Sequence, residues 1–236
     1  MRNRMSTFLR SILVAGLIGS PAIIGSAATA AERPENQRVR DAEMVLRMSA
    51  TAPDKGIPRH LLERAECIGV FPGLTKGAFV IGGEFGHGVF TCRQKDGTMG
   101  APAFFTMGGG SFGWQFGGEQ ADLVLLIMNP DGVKRLLQDK FTLGGEASAV
   151  AGPVGRTAEA GTDAQMHAEI LSWSRSRGVF LGASLSGTVI KPDASATAEF
   201  YGRPIKATDI LVAQSVPAPE AARSFVKTAT EFSKRS

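Results

Sequence analysis

Of the chain's 236 residues, 43% are hydrophobic, 20% charged and only 7% aromatic, which suffices for one large core or two small ones and excludes a disordered polyelectrolyte, a disulfide-dense miniprotein and a multispanning membrane protein. The formal charge is +4, but residues 1–30 contribute Arg2, Arg4 and Arg10 and no acid, so the remainder stands at +1. A body that close to neutral is a poor candidate for strong, sequence-independent nucleic-acid binding.

Residues 1–30 have the form of a secretory signal peptide. Arg2, Arg4 and Arg10 make a basic start, an apolar stretch opens over residues 12–18, Gly19-Ser20-Pro21 interrupts it, and Ala28-Thr29-Ala30 supplies small residues for cleavage. The competing reading is an uncleaved anchor, since residues 11–31 carry no charge and are long enough to span a bilayer. The proline and the alanine-rich end favour cleavage. No cysteine precedes Cys67, so there is no lipoprotein cysteine near the start. The expectation is an exported, periplasmic protein, free or peripheral on a membrane surface.

Residues 35–49 follow a helical pattern. Val39, Ala42, Val45 and Leu46 share one face, while Arg38, Arg40, Glu43 and Arg47 lie elsewhere on the cylinder. A loop with Pro53 and Gly56 follows, and Pro58 suits the first turn of a second helix through Leu61, Leu62 and Ala65. The texture then changes, because 25 of the 29 glycines fall between Gly69 and Gly202. Short apolar runs alternate with glycines and with the turn pairs Pro72-Gly73, Asp96-Gly97 and Asp131-Gly132, as in many short, bent strands. Such density suits strong curvature, bulges or backbones pressed close together. One helix interrupts the strands from Pro130 to about Gln138, with Asn129 as N-cap. A last helix is expected over residues 219–234, with Ala222, Phe225, Val226 and Ala229 on one face. The predicted fold class is α+β: a strongly bent, glycine-rich antiparallel sheet or small barrel flanked by N- and C-terminal helices.

Cys67 and Cys92 lie in strand-like runs. In an exported chain, pairing is favoured over two buried, reduced thiols that never meet. Two cysteines and three scattered histidines offer no ligand pair at metal-binding spacing, and no cofactor is implied.

Two formal motifs lack their context. Gly108-x-Gly110-x-x-Gly113 matches a dinucleotide fingerprint, but a strand-like alternation follows where a helix is required. Gly109-x-Ser111-x-Gly113 matches a nucleophile elbow, and a hydrolase reading would recruit Ser111, Asp163 and His167; no helix after Ser111 creates the elbow. His87, between Gly86 and Gly88, reads as a turn or edge residue and His60 as surface. Glu119 and Asp122 precede the apolar run 123–128, where a half-buried acid would hydrogen-bond backbone. The basic residues are dispersed (Arg33, Arg38, Arg40 and Arg47 early, Lys134, Arg135 and Lys140 midway, Arg175 and Arg177, then Lys227, Lys234 and Arg235). They form a patch suited to anionic headgroups if the first and last helices pack side by side.

Several segments in order carry a family resemblance: Phe71-Pro72-Gly73 with Lys76-Gly77-Ala78-Phe79; Asp96-Gly97-Thr98 with Ala101-Pro102; Gly113-x-Gln115-x-Gly117-x-Glu119-x-x-Asp122; Leu143-Gly144; Ala151-Gly152-Pro153-Val154-Gly155-Arg156; and Ser172-Trp173-Ser174-Arg175-Ser176-Arg177-Gly178-Val179-Phe180 with Gly182-x-Ser184-Leu185. Over residues 57–213 the chain resembles the SYLF-domain family, a lipid-binding module of eukaryotic actin-patch regulators and exported bacterial proteins. Trp173 stands where the family usually has tyrosine between serines. The resemblance implies non-catalytic recognition of membrane lipid, of the phosphoinositide type in eukaryotic members, through a basic surface and an N-terminal amphipathic helix. Some members also bind actin. No SH3 or FYVE segment is read here, so no scaffolding role is carried over, and an exported protein is not expected to meet actin. By position the matching helix is 35–49. Arg38, Arg40, Arg47, Arg175 and Arg177 are then the candidate headgroup contacts. The expected organisation is a signal peptide at 1–30, an amphipathic helix and loop at 31–56, and a SYLF-like domain at 57–236. Anionic phospholipid is the expected partner, and a protein partner at the cell envelope is the alternative.

Overall fold

Strands that are apolar on both faces must be covered on both faces, and that requirement organises the chain. A computed structural model describes residues 33–52, 56–74, 84–109, 121–145, 148–154, 167–176, 178–183 and 185–235; residues 1–30, where a signal peptide is expected, lie outside them. Helices α1 (Pro34–Thr51) and α2 (Arg59–Arg64) lead into strands β1 (Cys67–Leu74), β2 (Glu84–Cys92), β3 (Ala103–Gly108) and β4 (Ala121–Ile127). Then come α3 (Pro130–Leu136), β5 (Phe141–Thr142), β6 (Ala149–Ala151), β7 (Ile170–Ser176), β8 (Val179–Gly182) and β9 (Val189–Pro192). The chain closes with α4 (Ala194–Tyr201), α5 (Ala207–Leu211), a 3-10 turn at Glu220–Ala222 and α6 (Arg223–Ser233).

The strands form one sheet, ordered β5-β9-β3-β2-β1-β4-β7 and curled into a half-barrel. β6 and β8 share the outer edge of β7, β6 against Ile170–Ser172 and β8 against Trp173–Ser176. The expected α+β class with a bent sheet and terminal helices is what the chain adopts. One detail differs: β6 runs parallel to β7, whereas every other pair among the described residues is antiparallel. The connection between β6 and β7 spans residues 152–169, long enough for the crossover that a parallel pair needs.

Period-two alternation sends Ile68 and Val70 of β1, Val124 and Leu126 of β4, and Leu171 and Trp173 of β7 to one face, under α1, α2, α4 and α6. Phe71, Leu123, Leu125, Ile127 and Ile170 go to the other, with Leu136 of α3 and Ile210 and Leu211 of α5. Val39, Ala42, Val45 and Leu46, the stripe read from sequence, are all buried.

Glycine serves close approach at the sheet's centre. Gly69 lies opposite Phe90, and a Cβ there would meet that ring at 2.2 Å; one on Gly88 would meet Phe71 at 2.5 Å. The two rings stack edge to face across the gap, centroids 5.8 Å apart. Beside them Cys67 and Cys92, cross-strand partners on β1 and β2, form a disulfide.

α3 starts at Pro130 with the Asn129 side chain accepting the Gly132 N–H at 2.9 Å, as its sequence foretells. α4 and α5 were not expected. α4 is opened by Asp193, whose carboxylate accepts the Ala196 N–H at 3.0 Å, and closed by Gly202 at φ 70°. His87 is not in a turn; it lies inside β2, paired with Thr106 of β3, and half-exposed. His60 is at the surface of α2, as expected.

Arg93, one residue beyond β2, ties the ends of the chain to the sheet. Its Nε donates to Ala65 O at 3.1 Å, Nη1 to Gly97 O and Ser233 O at 3.0 Å each, and Nη2 to Glu63 O at 3.0 Å and Ala65 O at 2.9 Å. It thereby caps the C-terminal carbonyls of α2 and α6 together.

Candidate functional site: a basic face on two adjacent helices

α1 presents a second stripe opposite its buried one. Arg33, Gln37, Arg40, Met44 and Arg47 recur at alternating spacings of four and three, so all point away from the sheet, and each is exposed. Met44 is 55% exposed, an apolar side chain left in water between two arginines.

α6 packs beside α1 on the same face of the sheet, the condition under which the dispersed basic residues form a patch. One carboxylate makes the junction. Glu43 Oε1 accepts from Ser224 Oγ at 2.9 Å, Thr228 Oγ1 at 3.0 Å and Arg47 Nη2 at 3.0 Å, and Arg47 Nη2 also donates to Thr228 Oγ1 at 2.7 Å. Burial acts to raise the Glu43 pKa, but the hydrogen bonds from Ser224, Arg47 and Thr228 outweigh it and hold the carboxyl below its usual 4.5. On the outer side of α6, Arg223 and Lys227 stand one turn apart and exposed. Arg40, Met44 and Arg47 of α1 and Arg223 and Lys227 of α6 therefore share one outward face.

The five arginines expected to contact headgroups separate. Arg40 and Arg47 are on this face; Arg40 Nη2 donates to the side-chain Oε1 of Gln37 on its own helix. Arg38 turns inward. Its side chain is 17% exposed, its guanidinium lies 5.4 Å from the Phe104 ring centroid, and Nη1 is 4.0 Å from Asp193 Oδ2. Arg175 lies under the C-terminal half of α1. It pairs with Asp122, directly across on β4, through Nε at 2.7 Å, donates to Met48 Sδ at 3.0 Å and covers the Phe180 ring. Asp122 also accepts the Gly73 N–H at 2.9 Å, the backbone role expected of an acid at that position. Arg177 lies outside the described residues. Arg223, absent from the sequence reading, is found one turn before Lys227.

Ser111 and Asp163 of the hydrolase reading also lie outside the described residues, and His167 is exposed. Among the described residues no group of three His, Cys, Asp or Glu side chains is placed to hold a metal ion, and no helix is long and apolar enough to cross a membrane. Trp173, at the position of the family's tyrosine, is fully buried and donates its indole N–H to Pro153 O at 3.0 Å.

A family model described as Ysc84, Las17-binding protein actin regulator, matches residues 108–232. LAS seventeen-binding protein 3 of Saccharomyces cerevisiae is 36% identical over 169 residues, covering 70% of this chain and 37% of its own. Protein YSC84 of the same yeast is 36% identical over 63% of this chain and 32% of its own. SH3 domain-containing YSC84-like protein 1 of Rattus norvegicus is 30% identical over 79% of this chain and 55% of its own. The aligned stretch thus spans between about a third and just over half of these relatives. The family description and one relative's name speak of binding Las17, and the family description of actin regulation.

Proposed function

The chain belongs to the Ysc84 family of Las17-binding actin regulators, the SYLF-domain family, and from that membership together with its basic helical face we propose that it is a non-catalytic module that binds anionic phospholipid surfaces reversibly. The observation that carries the reading is the outward set Arg40, Met44, Arg47, Arg223 and Lys227 on two helices that one carboxylate locks side by side. A cation near an anionic membrane contributes about 1 kcal/mol, and an exposed methionine among cations gains by entering the headgroup boundary. Export to the periplasm, through the signal peptide at 1–30, completes the proposal, and the membrane met there would be the envelope's own.

A second reading has its own support, since relatives are named for binding the protein Las17. By that reading the same face receives a protein partner at the envelope. Co-sedimentation of the purified protein with phosphatidylglycerol or cardiolipin vesicles, against neutral phosphatidylcholine, separates the two. We expect binding to the anionic vesicles alone, weakening from low to near-physiological salt, and lost in the double variant Arg40→Glu/Arg47→Glu. A failure to sediment with any vesicle would overturn the lipid reading and leave the protein partner in its place.

A further inference from the structure

The Cys67–Cys92 disulfide lies at the floor of an open groove of about 350 Å³. The volume is within the range of small-ligand sites, about 300–1,000 Å³. Val133 and Leu137 line the groove on the α3 side, and Leu211 and Val212 line it at the end of α5. α3 and α5 pack on the face of the sheet opposite α1 and α6, so the groove is separate from the basic face. Cys67 is fully buried and Cys92 is 5% exposed, whereas Val212 at the mouth is 53% exposed. The bridge therefore presents its Cys92 end to the groove.

Charge and strand pairing both suit this bridge to exchange with a thiol. Arg93, next in sequence to Cys92, also lines the groove, and it gives its N–H groups to neutral carbonyl oxygens, so it brings a positive charge to the sulfurs. Lys134 is the other cation of the lining, paired with Asp131 at 2.8 Å; Glu66, the one acid there, is held by Arg235 at 3.2 Å. A positive charge draws in an attacking thiolate and eases the departure of a sulfur as an anion. The strands, for their part, stay in register without the bridge. Cys67 is on β1, hydrogen-bonded to β2 on one side and β4 on the other, and Glu66 O accepts the Arg93 N–H at 2.7 Å beside the bridge. An opened bridge thus leaves its two cysteines as cross-strand partners, placed to close again.

We propose that Cys92 is a site of reversible thiol–disulfide exchange in the folded protein, with a small thiol entering through the groove between α3 and α5. The thiolate attacks Cys92 Sγ, and the S–S electron pair passes to Cys67 Sγ, which takes up the proton that the incoming thiol lost. The products are a mixed disulfide on Cys92 and a Cys67 thiol, with no net oxidation. Attack by Cys67 on that mixed disulfide restores the bridge and releases the thiol. The inference is independent of the lipid reading.

The test uses two single-cysteine proteins, Cys67→Ala and Cys92→Ala, beside the parent. With oxidised glutathione, followed by intact mass, the Cys92 thiol of Cys67→Ala should form its mixed disulfide at least tenfold faster than the Cys67 thiol of Cys92→Ala. In the parent, dithiothreitol should open the bridge at a rate proportional to its concentration and flat in urea below the unfolding transition. A bridge reached only through global unfolding would instead open faster with each increment of urea, along the slope of the equilibrium transition. Val212→Trp, at an exposed position, narrows the mouth and should slow both reactions at least tenfold at an unchanged melting temperature. Equal reactivity of the two thiols, no adduct on Cys92, opening that tracks unfolding in urea, or a parent-like rate in a folded Val212→Trp protein would each overturn the proposal.

Discussion

Glu43 shows how much one side chain decides. It lies on α1 between the buried and the exposed stripe, and it receives hydrogen bonds from two hydroxyls of α6 and from Arg47. A carboxyl whose folded pKa is lowered stabilises the fold at pH values above its unfolded pKa, and that contribution disappears as pH falls through the folded value. With the Glu43 carboxyl held below its usual 4.5, the junction is intact at neutral pH and fails in acid. Glu43→Gln is therefore expected to lower the melting temperature at pH 7 and to make little difference near pH 3. Paired thermal unfolding at the two pH values checks this, and an equal deficit at both would show that the carboxylate charge is not what holds α6 to α1. The same scale explains which arginines the sequence misjudged. Arg38 and Arg40 are two residues apart, about 200° around a helix, so they cannot face one way. Arg38 borders Val39 and Ala42 and follows them inward. Arg175 shares the period-two face of Leu171 and Trp173, which α1 covers. Both facts were present in the spacing. That Asp122 awaits Arg175 across β4 was not, because strand pairing between distant segments leaves no mark in one sequence.

Among elements, β1 and β2 form the centre of the sheet, and the disulfide joins them at the end where α2 arrives. Closing a loop with a sequence separation of 25 stabilises by about 3 kcal/mol in the chain-entropy model. The strands are also held by their own ladder and by the Phe71, Phe90 and Phe105 rings, so the bridge reinforces a pairing that does not depend on it. Reduction, or Cys67→Ala with Cys92→Ala, should lower the melting temperature by about 6–12 °C while the far-ultraviolet circular dichroism at 25 °C stays that of the parent. An unchanged melting temperature would mean that the bridge contributes no stability in solution. The glycine-rich texture made the bent sheet legible, because few other structures tolerate so many missing side chains in strand-like runs. α4 and α5 were hidden by the same texture. Eight and five residues long, they are too short for periodicity to show, and only the cap residues Asp193 and Gly202 announce α4.

At the scale of the whole molecule, the terminal helices must stay on the sheet for any basic face to exist. α1 and α6 lie against one face, and their hold depends on burial along Val39, Leu46, Phe225 and Ala229 and on a few polar joints. Arg93 is the joint that sequence reading had no means to find, since nothing near it in the chain marks it as a cap for helices some 30 and 140 residues away. Burial pushes its pKa down, yet a guanidinium stays charged throughout the accessible range, so the joint does not open with pH. The geometry demands a planar fork, because the carbonyls it serves diverge toward α2, the β2–β3 turn and the end of α6. Lysine, a point donor, reaches fewer of them. Arg93→Ala should cost on the order of 2–3 kcal/mol, the value of charge-assisted hydrogen bonds lost with their carbonyls left wanting, and Arg93→Lys should recover less than half of it. Hydrogen exchange locates the damage: amides of residues 59–65 and 228–235 should exchange faster in both variants, while those of β4 keep the protection of the parent once global stability is allowed for. Equal acceleration across β4 would mean that Arg93 supports the sheet itself and not the attachment of the helices.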